Sequence, residues 1–501
     1  MYAMLVIMAL VTACMTGPWL SFSDYLRARK SLAHIGPDFA IAVPGKRPMF
    51  LPQTRRYRAA TPRRCRAVCW LWVGLTASVA AANWPGWRGP QGSGLAAESN
   101  LPLRWSTNEN VSWRVPLPNR GNSTPIVWGG RVFVTQAIHA IDRRSVMCFS
   151  ERTGELLWQS GLTSTEKEPT TDENPPCTPS PVTDGHRVIA WFGSAGVFCY
   201  DFEGRELWHR DLGRQAHQWG YASSPVLYKD LCFLNFGPGD RSFVIALEKK
   251  TGRTVWQFDI PVIASTMNRQ ELGGPDPSAG GAASVKLSEI AGSWATPLIV
   301  PAPGHDELVV VLPLRLMGLA PRTGQELWNC DGPNIGAYSS PFYGEGFVGY
   351  AGGGFRNNLM IVRPGGHGDV TKSNRIWLQP LANSQSHLGA GVIFHEHIYL
   401  VNTAGIAECF ELKTGKTIWT ERLTCTGGSG GAWASPVLMG DRLYVLNRNA
   451  DVFVLKANPK FELLAVNSIG GEPMSASLAV ADGNIFVRTD KNLWCIGPGK
   501  K

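Results

Sequence analysis

A block of about forty-five residues recurs along this 501-residue chain, and it constrains the fold more than any single motif does. Each copy opens with small residues before a proline and closes with a turn that leads to a tryptophan. The closing half is clearest at Thr153-Gly154 to Trp158, Glu203-Gly204 to Trp208, Thr251-Gly252 to Trp256, Thr323-Gly324 to Trp328 and Thr414-Gly415 to Trp419. The opening half recurs at Pro125, Pro181, Pro225, Pro297, Pro341 and Pro436, with Gly391 and Ser477 read as the same position in two degenerate copies. Eight openings, each followed by short apolar runs, predict an all-β, eight-bladed β-propeller of four-stranded antiparallel blades.

The strands and their order can be anticipated from elementary constraints. Runs such as Arg131 to Thr135, Arg442 to Leu446 and Asn484 to Arg488 are too apolar for a sheet with one wet face, and they fit blades covered on both sides by neighbours. A proline cannot donate to a ladder, so the openings belong on the innermost edge strand, along the channel. Val111 to Pro116 reads as an outer strand, with Trp113 matching the closing tryptophans, yet no blade precedes it. Ser475 to Ile496 supplies three strands and stops. The N-terminal strand is therefore expected to complete the last blade, which leaves no unfinished sheet edge.

The balance of charge excludes one class of partner. The formal charge is +9, but residues 1–82 hold eleven basic and two acidic residues and account for all of it. The repeat region is balanced, so nothing in it forms the basic footprint of a nucleic-acid binder. Within 1–82, Arg63, Arg64 and Arg66 precede an apolar stretch from Val68 to Val79 and the small residues Ala80-Ala81-Ala82. That order is expected of a secretory signal cleaved before Asn83, spanning about residues 49–82 if translation starts at Met49. The organisation is then a leader (1–82), an N-terminal extension (83–110) and a propeller (111–497). The expected location is the periplasm or cell envelope, with membrane contact only through an uncleaved leader or a lipid anchor on Cys14.

The cysteines do not form a framework. Cys148, Cys199 and Cys409 share a repeat position that Ala246 and Gly318 occupy elsewhere, which marks a cramped interior site. Two departures from the period are the Gly/Ala/Ser-rich 262–291 connection and the lengthened fifth blade, Arg363 to Trp377. The latter contains Gly365-Gly366-His367-Gly368-Asp369, read as an elaborate hairpin rather than a calcium turn. His395-Glu396-His397 aligns with the Gly440-Asp441-Arg442 turn, so it too is read as an exposed hairpin rather than a metal pair. Residues just before the openings should face a funnel at one end of the channel. Those are Asn122, Trp219, Tyr221, Trp294, Tyr338, His387 and Trp433, an aromatic ring with a few polar groups.

The openings of the form "SPV" and closings such as "CFSERTGELLW" and "CFELKTGKTIW" resemble the pyrroloquinoline-quinone (PQQ) repeat. Eight-bladed quinoprotein dehydrogenases and the propeller lipoprotein of bacterial outer-membrane assembly share that repeat. "WPGWRGPQGSG" (Trp84 to Gly94) and "RPGGHGDVT" are similar to a bacterial branch of the same superfamily. What the resemblance implies is an exported, non-catalytic binding or scaffold module that holds a protein or peptide partner, with no cofactor. Its alternatives are a PQQ- and calcium-dependent dehydrogenase with a divergent site, or a propeller that binds a carbohydrate or small molecule. The enzymes typically use adjacent cysteines and a Glu-Asn-Asp set, and neither can be carried over onto this sequence.

Overall fold

In the computed structural model, the structure describes residues 83–497 apart from 99–100, 165–166, 240, 261–291, 334–335, 353–356, 382–386 and 425–430. The expected leader and the whole of the 262–291 connection therefore lie outside the described residues. Among the described residues eight antiparallel sheets follow one another as blades. Blade 1 runs Ile126–Trp128, Arg131–Ile138, Arg143–Ser150 and Leu156–Thr163 from the inside outward. The innermost strands of blades 2 to 8 begin at Val182, Val226, Leu298, Phe342, Val392, Val437 and Ala479. The middle two strands of each blade are almost wholly buried, as at Leu231–Phe236 and Phe243–Glu248 in blade 3.

The ring closes as the sequence predicts. Val111–Pro116 pairs antiparallel with Asn492–Ile496, so blade 8 takes its outer strand from the N-terminal side, with Trp113 opposite Cys495. Arg488, on the second strand of blade 8, reaches across to blade 1 and donates to the Thr135 carbonyl (2.7 Å) and Gln136 Oε1 (2.8 Å). Blade 8 also corrects one reading. Ala479 starts its inner strand as Ile126 does in blade 1, so the proline position falls at Leu478 and Ser477 stands one residue earlier.

The closing motif joins each blade to the next. Trp113, Trp158, Trp208, Trp256 and Trp377 each donate their indole N–H to a backbone carbonyl of the following blade, at 2.7–3.1 Å. The ring lies against the turn glycine of that blade. A Cβ at Gly154 would sit 2.7 Å from the Trp113 ring, and φ at Gly154 is +74°, so both space and backbone demand glycine. The small residue of each repeat sits directly opposite the tryptophan in the ladder, as in Cys148–Trp158, Cys199–Trp208 and Cys409–Trp419. Burial pushes the thiols of Cys148 and Cys199 up to about 12, so they stay protonated and inert.

Blade 4 departs from this rule. Trp328 lies over Gly318 of its own blade and donates to Glu307 Oε2 (2.8 Å). The inserted segment of blade 5 has replaced the Thr-Gly turn that would have received it. Gly368–Asp369 instead pairs parallel with Trp328–Asn329, as a fifth strand on the outer edge of blade 4. The glycine-rich string is thus an inter-blade strap rather than a hairpin within its own blade. His395-Glu396 forms a tight turn with φ +49° and +62° between Val392–Phe394 and His397–Val401, as expected.

Three carboxylates gather at the closing seam: Glu98 from the extension, Glu151 from blade 1 and Asp482 from the final hairpin. Burial, then repulsion by Asp482 and Glu98, raises Glu151 from 4.5 to about 7. The native carboxyl keeps its proton up to about pH 7, whereas the unfolded one releases it near 4.5, so stability falls as pH rises through that window. Glu151→Gln is expected to flatten this dependence and to stabilise the protein at pH 8 by about 1 kcal/mol, after allowance for solvent screening. Thermal melts across the window read the effect, and an unchanged pH slope would contradict it.

Candidate functional site

The extension 83–98 crosses the ring at its inner edge, which its sequence did not announce. Trp84 bridges to Val127 of blade 1, and the Thr183 N–H of blade 2 donates to the Pro85 carbonyl (2.8 Å). Leu95–Ala96 pairs parallel with Leu438–Met439 on the inner strand of blade 7. Between these anchors Arg88 is buried, with a guanidinium that donates to the carbonyls of Ser93 (2.6 Å), Ala390 (3.1 Å) and Gly391 (2.6 Å). Desolvation lowers its pKa to about 9, so it remains charged at neutral pH and is held by carbonyl dipoles.

Trp87 of this segment lines two spaces. One of about 450 Å³ opens at the end where the inner strands begin; the other, of about 470 Å³, lies among the inner strands of blades 2 to 5. The first shares Trp87 with the second, and the rest of its lining follows a period of two. The residue immediately before each opening proline position contributes a hydroxyl: Thr124, Ser180, Ser224, Thr296, Ser340, Ser435 and Ser477. Each of these accepts the N–H of its counterpart in the preceding blade, from Thr124 N to Ser180 Oγ (2.8 Å) round to Ser477 N and Thr124 Oγ1 (3.2 Å). Blade 6 has Ala390 in this place, so the ring of hydroxyls is interrupted there. Arg88 docks on the Ala390 and Gly391 carbonyls at that same point.

Two residues further out, the next position of the same pleat face forms the wall. Blades 4 to 7 contribute Trp294, Tyr338, Leu388 and Trp433, whereas blades 8, 1 and 2 contribute Ser475, Asn122 and Thr178. The cavity is therefore aromatic on one side and polar on the other. Trp219 extends the aromatic side, 5.9 Å from Trp294, and Trp294 lies 5.0 Å from Tyr338. The Trp294 indole is fixed by donation to the Gly220 carbonyl (3.1 Å), and the Arg448 guanidinium covers Trp433 at 4.3 Å. On the polar side Asn122 Nδ2 donates to the Glu173 carbonyl (2.7 Å), and Asn174 Nδ2 to the Trp219 carbonyl (2.6 Å).

Five of the seven residues expected at the funnel stand on its wall: Asn122, Trp219, Trp294, Tyr338 and Trp433. Tyr221 and His387 do not. Both lie one position out of register with the wall, and a shift of one residue turns a side chain to the opposite face. Tyr221 is buried against Trp191 (4.7 Å), and His387 is buried with Nε2 3.0 Å from Glu408 Oε2. The sequence reading missed the hydroxyl ring, although "S-P" at successive openings carried the signal, and it missed Trp87 altogether.

A PQQ–calcium pair does not match this lining. PQQ is a tricarboxylate, but no lysine or arginine lines the cavity among the described residues, and the one charged wall residue is the carboxylate Glu173. Cys148, Cys199 and Cys409 sit opposite the closing tryptophans in the blades, and no described cysteine lines the cavity.

The family model for outer membrane protein assembly factor BamB matches residues 142–421 and 403–496, well over half of the chain. The chain belongs to this family. BamB from Moraxella catarrhalis has the same fold at 12% identity and a TM-score of 0.52, over 77% of this chain and 96% of that one. The quinohemoprotein alcohol dehydrogenase from Comamonas testosteroni matches at 11% identity and a TM-score of 0.60, over 84% and 81%. A europium-containing methanol dehydrogenase matches at 10% and 0.58, over 81% and 89%. At these identities the likeness establishes the propeller alone, since one fold serves both binding proteins and enzymes. No curated protein matches the sequence. Within the BamB family this chain is thus an eight-bladed PQQ-like propeller with its channel crossed by its own N-terminal segment.

Proposed function

We propose that this protein is an exported, non-catalytic binding module of the bacterial cell envelope, and that it takes its ligand or partner at the mouth cavity. The observation that carries this reading is the floor of that cavity. Trp87 and the hydroxyl ring stand at the base of a bowl whose volume is in the range of small-molecule and peptide-end sites. The wall offers recognition groups, namely aromatic faces, hydroxyls and carboxamides, without the cationic groups a tricarboxylate quinone requires. Family membership supports a place in the envelope, and the basic, apolar and small-residue order of 63–82 supports export.

A photo-cross-linking side chain at Trp219, which is half-exposed at the mouth, tests this against the same group at Leu207 on an outer strand of blade 2. Adducts formed in intact cells are expected at position 219 and not at 207. Turnover of alcohols or sugars by purified protein with added PQQ and calcium would overturn the non-catalytic reading.

A further inference from the structure

We infer that the ligand of the mouth cavity is a neutral carbohydrate, entering as the end of a chain or as a mono- or disaccharide. This rests on the binding-module reading and adds the chemistry of the ligand. The seven ring hydroxyls are more than nine-tenths buried, and each oxygen already accepts one backbone N–H. A hydroxyl that accepts still has its own proton to donate, so the floor presents a circle of O–H donors with lone pairs to spare. Asn122 adds the complement. Its Nδ2 is committed to the Glu173 carbonyl, while its Oδ1 is shielded from solvent without a partner among the described residues. Closed to water in the empty cavity, that acceptor carries a cost that a ligand donor relieves once the carboxamide turns toward the cavity.

A pyranose matches both halves of the bowl. One face of the ring is C–H and packs on aromatic surfaces such as Trp294, while its edge carries hydroxyls that both donate and accept. An anion would meet Glu173 with no cation in the wall. An ammonium or a lysine end would find a single carboxylate, Glu173, and would leave the O–H donors of the ring without an acceptor. An extended peptide running through the site would have to pass Trp87, which lines both this cavity and the space among the inner strands.

The test is titration of the purified protein, by tryptophan fluorescence and calorimetry. The neutral probes are cellobiose, maltose and N,N′-diacetylchitobiose; the others are digalacturonate, benzyltrimethylammonium and a lysine-ended peptide. At least one neutral disaccharide is expected to bind. Trp294→Leu is expected to weaken that binding on the order of tenfold, and Asn122→Ala severalfold, while Leu207→Ala leaves it unchanged. Circular dichroism melts of each variant separate loss of binding from loss of fold. Binding of the cation or peptide alone, no binding of any neutral sugar, or sugar binding indifferent to both Trp294→Leu and Asn122→Ala would overturn the inference. If mouth cross-links form while no sugar binds, the carbohydrate assignment fails and the binding module stands; if they are absent, the module reading fails.

Discussion

Replacing Trp113 with alanine is expected to destabilise the protein by about 3–5 kcal/mol, the range for removing a large buried aromatic. Among the described residues, Trp113 is the only closing tryptophan whose strand is not continuous in sequence with the rest of its blade. Its ring lies against Gly154 of blade 1 and 6.0 Å from Phe486 of blade 8, and its indole donates to the Glu151 carbonyl (2.8 Å). The substitution removes packing from both sides of the seam and leaves that carbonyl without its donor. Denaturant unfolding monitored by circular dichroism reads the loss. Trp419→Ala, in a blade whose four strands are contiguous and where the ring is half-buried, is the comparison and should cost less. Equal or smaller loss at Trp113 would mean that the seam is not where the ring is held.

The second large effect is expected at Arg88. Arg88→Ala leaves the buried carbonyls of Ser93, Ala390 and Gly391 without donors, at about 1–3 kcal/mol for each one that water does not reach. The loss is expected to be expressed locally. Blades 6 and 7 remain paired through their own ladders, while the extension loses its central anchor and is left held at its ends, by Trp84 and Pro85 on one side and Leu95–Ala96 on the other. Limited proteolysis should then cut between Gly89 and Gly94 faster than in the wild-type chain, and hydrogen exchange should accelerate in 84–96. Arg88→Lys keeps a charge but cannot reach three carbonyls in a planar fork, so it is expected to behave more like alanine than like wild type. Wild-type protection in both variants would contradict the role assigned to the guanidinium.

Much of the fold was legible because propeller blades repeat their constraints. A proline on the inner edge, two apolar runs, a Thr-Gly turn and a tryptophan each express one local requirement, and eight copies average out the exceptions. The clasp was legible for the same reason, since Trp113 is a closing tryptophan without a blade. What the sequence did not disclose belongs to parts outside the repeat. Residues 84–98 are rich in glycine and proline, show neither a strand nor a helix period, and bind through carbonyls about three hundred positions away. No local pattern can encode such contacts. Tyr221 and His387 failed for a narrower reason. Residues before an opening were grouped without fixing the pleat, and the side chains of adjacent positions point to opposite faces. Trp328 closes its blade as the repeat predicts, yet its contacts differ, because the partner turn is absent from blade 5 and the inserted strap pairs with its strand instead.

The bowl formed by Trp87, the hydroxyl ring and the half-aromatic wall is the feature on which the functional reading depends. A crystal structure of the protein grown with a neutral disaccharide from the binding panel tests it most directly. The account predicts a sugar seated above Trp87, with its C–H face on Trp294 and its hydroxyls within hydrogen-bond reach of Asn122 Oδ1 and the ring hydroxyls. A sugar bound on the outer strands or in the chamber beyond Trp87, or a mouth cavity that holds only water at saturating ligand, would contradict it.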